Sequence, residues 1–462
     1  MRDSRPIASP RRPPGRRPGA GPERLVTEEG LIVFVEPSRA LPIVDVELVL
    51  RTGSVHDPIG QEGLTRLTWR VLRMGTRKLR QDGVEDAVAR LGARIGMEVA
   101  PSYVRVHGTV IRRHVEDFVA LVADLVRNPA FRAADLAQAR REILAELVSA
   151  RDDDAFLAAG HFRRYLFADH PYGRPVMGTE ASLRRTRRRD ALVAQHQAHL
   201  VRGNLLLGFA GDIRPEEAEQ LARRHFHGLP EGPAPGDEVP APRLARGRRV
   251  LVVDKPARTQ AQIYIGTLGG RHRDRDAVPL VVGNAGFGGT FTSRLTQEIR
   301  AKRGWSYGAY SRLGQDRQRD AWAMWTFPGI RDAVNCVRLQ LELLDAWVDR
   351  GLSRRELSFA KKALVNGHCF EVDTAAKRLD PAIDEELFGL RRGFLRDYPT
   401  HVRGVTLDEA NAAVARRISR RDVAIVLVAS ADDVLPGLAR LPGVRTVERV
   451  PYDAETDARL PA

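Results

Sequence analysis

Cysteine is nearly absent: 462 residues carry two, Cys336 and Cys369, both in stretches of helical periodicity. A disulfide framework and a cysteine-ligated metal are thereby excluded, and both thiols are expected to be reduced and buried. Long apolar runs are missing as well. Nothing approaches the roughly 18–20 residues that cross a bilayer, so no membrane partner is expected. The opening MRDSRPIASPRRPPGRRPGAGPE lacks the apolar core of a secretory signal, and its prolines oppose an amphipathic targeting helix. Residues 1–23 read as a disordered tail, 456–462 as a second one, and the expected location is cytoplasmic. Lysine is also scarce. Only six of the 74 basic residues are lysine, so the net charge of +15 is arginine spread along the chain. The first tail alone supplies +4, from six Arg against Asp3 and Glu23. That distribution points to the coding bias of a high-GC bacterium rather than to a basic patch, and nucleic acid is not an expected partner.

What is present is a globular composition, 43% hydrophobic and 29% charged, in a chain too long for one core. The chain also repeats itself. VDVELVLRTGS, a turn, a helix and Gly-Thr (44–76) recur as AQIYIGTLGG, a turn, a helix and Gly-Thr (261–290). The helix pair at 122–147 is echoed at 341–367, and the strand and helix at 204–226 are answered at 423–441. Matching elements stand about 220 residues apart, which implies duplication of one α/β unit of roughly 200 residues. Between the copies, LPEGPAPGDEVPAPRLARGR (229–248) has five prolines and three glycines and sustains neither helix nor central strand. The expected fold class is α+β: two units, 24–228 and 248–455, each a mixed or antiparallel sheet with amphipathic helices over one face, joined by a linker at 229–247.

One helix is framed as though it carried chemistry. In GLTRLTWRVLRMGT (63–76), Gly63 opens, Leu64, Leu67, Val71 and Leu72 recur at helical spacing, and Gly75-Thr76 closes. Its exposed face is expected to hold Arg66, Trp69 and Arg70.

With GSVHDPIGQEGLTRL, ADHPYGRPVMGT (168–179), FAGDIRPEEAEQLA and SRLTQEIRAKRGWSYGAYS (293–311), this order of features resembles the pitrilysin/insulinase and mitochondrial processing peptidase family over nearly the whole chain after residue 24. The family's inverted zinc motif, H-x-x-E-H, lies on a helix running into Gly-Thr. The resemblance implies two duplicated units closed as a clamshell. It places the two histidine ligands on Arg66 and Arg70, the catalytic glutamate on Trp69 and the third ligand on Glu146, and only the last keeps its chemistry. A guanidinium has no lone pair to give zinc, and Trp69 cannot activate water. The chain alone is therefore expected to bind no metal and to hydrolyse nothing. Either an arginine has replaced the metal by pairing with Glu146, or three unpaired side chains stand apart in solvent.

The resemblance also implies that Arg300 and Tyr307, seven residues apart across a helix, a turn and a strand, hold substrate backbone. A guanidinium and a phenol converging there would be fixed donors for an oxyanion. A chain keeping these while losing the metal ligands resembles the non-catalytic subunit of a heterodimer. Its partner would be a homologous subunit carrying zinc, its substrate an unfolded peptide. The alternative is a structural or chaperone-like subunit of the same fold. The family's binding subunit has an expanded glycine-rich loop; GNAGFGGTFTSRL (283–295) has the glycines without the expansion and is no phosphate loop. GWSYG (304–308) matches a nucleophile elbow in reversed context, with Ser306 expected on a strand. His196 with His199, and His225 with His227, lack a third ligand at a supporting spacing and read as solvated or capping.

Overall fold

The structure, a computed structural model, describes residues 21–233 and 239–454. Most of the expected first tail, the middle of the linker and all of the second tail lie outside the described residues. Strands β1 (Glu23–Val26), β2 (Ile32–Pro37), β3 (Ile43–Leu50), β4 (Arg94–Val99), β5 (Val104–Ile111) and β6 (Leu205–Gly211) form one sheet in the order β1-β2-β6-β3-β5-β4. Strands β7 (Arg248–Asp254), β8 (Gln262–Leu268), β9 (Ala309–Leu313), β10 (Ala321–Thr326), β11 (Val423–Ala429) and β12 (Val444–Pro451) form the other, β12-β7-β11-β8-β10-β9. Five positions correspond one to one, and among these five one pair in each sheet is parallel, β2 with β6 and β7 with β11. The sixth strand comes from opposite ends of the chain. β1 joins its sheet antiparallel to β2, whereas β12 joins parallel to β7.

One face of each sheet carries helices of its own half. In the first, Val46, Leu48 and Phe209 pack with Leu67, Leu72, Phe118 and Leu125; in the second, Ile263 and Ile425 pack with Phe287, Leu344 and Trp347. The opposite faces are not left to solvent, which the one-sided reading of the helices did not anticipate. The Asp154–Phe167 helix of the first half lays Leu157, Phe162 and Leu166 on Leu251, Val426 and Val428 of the second sheet. In return, the Ala375–Phe388 helix of the second half lays Leu379, Ile383 and Leu387 on Phe34, Val49 and Leu206 of the first. This exchange explains why β6 (LLLGFAG) and β11 (VAIVLVA) are apolar and buried at every position: both faces are covered. It also fixes Gly208, where a Cβ would stand 2.7 Å from Ile383 Cδ1.

Polar ties hold the exchanged helices. Glu386 takes Arg24 Nε at 2.9 Å and Arg51 at 3.2 Å, and Arg105 reaches Asp384 at 2.9 Å and Asp380 at 3.2 Å. On the other side Lys255, almost fully buried, donates to Asp154 at 2.7 Å, and Tyr165 donates to Glu448 at 2.7 Å.

The glycine-rich segment continues the Ala277–Asn284 helix as a π-helical turn, Ala285–Gly289, and a Cβ on Gly288 would meet Ser311 Oγ at 2.4 Å. Two expectations need correction. Cys336 is buried, but Cys369 is exposed near the C-terminal end of its helix. Strand β9 begins at Ala309, so Ser306 and Tyr307 belong to the preceding loop. Among the described residues, no helix is long and apolar enough to cross a membrane.

Candidate functional site

The Leu64–Arg73 helix starts on Gly63, whose φ of 86° is open to glycine and whose added Cβ would stand 2.7 Å from Gly178 Cα. Its free N–H groups are met from outside. Buried Asp57 accepts from Gly63 N and Thr65 N, both at 2.9 Å, and from Thr65 Oγ1 at 2.6 Å. Burial outweighs these bonds and pushes the Asp57 carboxyl up to about 6. The helix is thus clamped at its N-terminus by Asp57, six residues before the helix cap.

Along this helix Trp69 is not on the exposed face. It is 6% exposed and packs in the first core, so indole here is a core side chain. Arg66 and Arg70, one turn apart, do face outward, and both converge on the Ala133–Ala150 helix. Arg66 Nη2 lies 2.9 Å from Glu146 Oε2, and Arg70 Nη1 lies 2.6 Å from Glu146 Oε1. Arg70 also grips Glu142 Oε2 with Nη2 at 2.8 Å and Nε at 3.2 Å, while Gln138 donates to Glu142 Oε1 at 2.9 Å. Burial opposes the charge on Arg70, but the Glu142 hydrogen bond and the Glu146 charge outweigh it and hold the guanidinium above its ordinary range. The bonds from Gln138 and Arg70 hold Glu142 below its ordinary range. Of the two outcomes left open by the sequence, the guanidiniums stand on Glu146 rather than apart from it. Glu142 and Gln138 had been missed, although the spacing 138, 142, 146 places all three on one helix face.

These residues do not fit a zinc ion. Both oxygens of the Glu146 carboxylate are already occupied by N–H donors, and the two guanidiniums beside it offer neither a lone pair nor a welcome for a cation. A single like-charge pair at 4 Å costs about 4 kcal/mol at an effective dielectric of about 20. Among the described residues, no group of three or more His, Cys, Asp or Glu is arranged to hold a metal.

In the second half, the helix Arg294–Thr296 widens into a π turn, Gln297–Ala301, which carries Arg300. Its guanidinium lies over the Tyr307 ring at 4.5 Å and over the Phe291 ring at 4.4 Å. Tyr307 is 74% exposed and Phe291 63%. The structure therefore brings Arg300 and Tyr307 together and adds Phe291, which spacing alone did not single out. Ser306 is no nucleophile: buried, it donates to Gly308 O at 2.6 Å and accepts from Phe327 N at 2.9 Å, anchoring the loop that presents Tyr307.

The histidine pairs hold no metal site, and two of their members are not solvated. His196 is half-buried with Nε2 2.6 Å from Val126 O, and half-buried His199 meets His56 edge to face, its pKa driven down to about 4 by burial. His227 is exposed, with Nδ1 2.8 Å from Arg224 O. A cleft of about 350 Å³ lies beside Arg66, Trp69 and Arg70. A larger one, about 820 Å³, opens between β2 and the Ala375–Phe388 helix and is lined by none of the site residues.

Known proteins carry the same architecture. Residues 33–180 match the family described as insulinase (peptidase family M16), and residues 188–364 match the peptidase M16 inactive domain. An uncharacterised zinc protease of Mycobacterium tuberculosis is 27% identical over 428 residues, covering 90% of this chain and 96% of its own length. A non-peptidase homologue from Helicobacter pylori is 21% identical over 399 residues, covering 86% and 91%. The crystal structure of a peptidase M16 inactive domain from Pseudomonas fluorescens superposes with a TM-score of 0.82 at 22% identity, covering 93% of this chain and 98% of that one. With both halves matched in order, and the two sheets arranged as the duplication requires, this chain belongs to the insulinase (M16) peptidase family.

Proposed function

We propose that this protein is the non-catalytic, substrate-binding subunit of a heterodimeric zinc peptidase. A homologous partner subunit would carry the metal and the catalytic glutamate, and this chain would contribute Arg300 and Tyr307 to hold the backbone of an unfolded peptide. The observation that carries the reading is the contrast between the two halves. In the first, Arg66 and Arg70 occupy the Glu146 carboxylate, which leaves no ligand set for zinc. In the second, Tyr307 and Arg300 remain presented to solvent, with Tyr307 74% exposed. A purely structural subunit has no use for an exposed phenol set against a guanidinium, and Tyr307 packed on its own sheet would have favoured that alternative.

Copurification with a homologue that retains H-x-x-E-H, followed by peptidase assays on each subunit and on the mixture, tests the reading. Activity in the mixture and none in this chain alone is expected, with a chelator abolishing it. Stoichiometric zinc and chelator-sensitive cleavage by this chain alone would overturn it, as would a homologue whose activity is indifferent to this chain.

A further inference from the structure

Every other charged side chain on the turn around Arg300 is engaged. Glu298 holds Lys302 at 2.5 Å and Arg303 at 2.8 Å, and Arg303 also lies over the Trp305 ring at 5.6 Å. Arg300 is the exception: among the described residues it has no hydrogen-bond or ion-pair partner, only the rings of Phe291 and Tyr307 at 4.4 and 4.5 Å. Contacts of that kind use the charge of a guanidinium without an oxygen acceptor, so its N–H hydrogen-bonding capacity is left for a ligand.

Both rings stand on fixed supports. Thr290, beside Phe291, donates through Oγ1 to Ala285 O at 3.2 Å, and Ser293 N returns to Thr290 O at 3.1 Å. Tyr307 sits between the anchored Ser306 and Gly308, where a Cβ would stand 2.6 Å from Tyr310 Cε2. Neither ring contributes to a core. Large aromatic groups left this exposed do not stabilise the fold by burial, so their placement calls for another explanation.

We propose that Phe291 is a positioning residue for Arg300, and that the Phe291, Arg300 and Tyr307 assembly is a receptor for a peptide carboxylate. The assignment rests on the peptide-binding reading above and moves the group that Arg300 holds from a backbone carbonyl to a carboxylate of the same peptide. A guanidinium held by rings and lacking an acceptor among the described residues has two parallel N–H donors to offer, the geometry that a carboxylate matches with both oxygens and a lone backbone carbonyl matches with one. Local charge favours the same ligand: Arg300, Lys302 and Arg303 against Glu298 leave an excess of two positive charges on this turn.

The test uses the full chain and four synthetic 15-residue Gly/Ser peptides, titrated calorimetrically at low salt. They carry one central Glu or Gln, each with a free or an amidated C-terminus. Binding should be at least about tenfold weaker for the peptide with neither carboxylate, and the remaining arms decide whether the side chain or the C-terminus is the source. Phe291→Leu should weaken binding about 3- to 10-fold and Phe291→Tyr should restore it, with the melting temperature unchanged in both. Equal binding of all four peptides, no binding of any, or a Phe291→Leu protein that binds like wild type would overturn the proposal. Carboxylate-dependent binding without partner-dependent peptidase activity would sink the heterodimer reading and leave the receptor standing.

Discussion

Replacing Glu146 by Gln removes the charge on which two guanidiniums converge while keeping the shape of the side chain. Arg70 retains Glu142, but Arg66 loses the one ion-pair partner it has among the described residues, and its buried Nε already lacks an acceptor. The three side chains are each about one-third exposed (Arg66 and Arg70 33%, Glu146 37%), so each pair is discounted for solvent to about 0.5–1 kcal/mol. Two like charges left one turn apart add a few tenths more. The expected loss is about 1.5 kcal/mol, a fall of roughly 3–6 °C in the melting temperature of a domain of this size. Differential scanning calorimetry at low ionic strength reads it directly. Because the Debye length shrinks to about 3 Å in 1 M salt, the loss should shrink in 1 M NaCl. A Glu146→Gln protein melting within a degree of wild type at low salt, or one equally destabilised in 1 M NaCl, would refute the idea that this ion cluster has taken over the structural role of a metal.

Two other outcomes are expected. The double variant Arg66→His, Arg70→His returns two imidazoles opposite Glu146 without touching the buried Trp69; it should bind about one zinc per chain in isothermal titration and still cleave nothing, and absence of binding would show that the ligand geometry has been lost along with the ligands. Asp57 bears on stability through pH. Its folded pKa of about 6 is raised from 3.8, so the stability it contributes is fully present below about pH 4 and is lost as pH rises through about 6, by at most about 3 kcal/mol. Denaturation midpoints at pH 4.5 and 7 should therefore differ more favourably toward acid in wild type than in Asp57→Asn, and an unchanged difference would show that Asp57 ionises as freely folded as unfolded.

Much of this could be read along the chain because it depends on local patterns. The alternation in VDVELVL, the helical spacing from Leu64 to Leu72 and the prolines of 229–248 are each decided by neighbours a few residues away, and their recurrence about 220 residues later shows the duplication without coordinates. That Arg66 and Arg70 cannot ligate zinc was also legible, since no fold gives a guanidinium a lone pair. Contacts between distant segments were not legible in this way. Trp69 sits at a position that spacing assigns to the outward face, yet it enters the core because of how the sheet and the neighbouring helices meet there. Phe291, in the turn between the two π-helical segments, and Arg300, on the second of them, meet only in the folded chain.

Sequence alone therefore determined that there are two α/β units and that the side chains of Arg66 and Arg70 have no lone pair to give zinc. Tertiary structure alone decided that each half lends a helix to the other's sheet, that Glu146 is shared by both arginines, and that Arg300 is held by two exposed rings. The division has a physical cause: the period of a strand or helix is set by its own backbone, whereas the face it buries and the charge it meets are set by segments up to hundreds of residues away, brought near only once the sheets have formed.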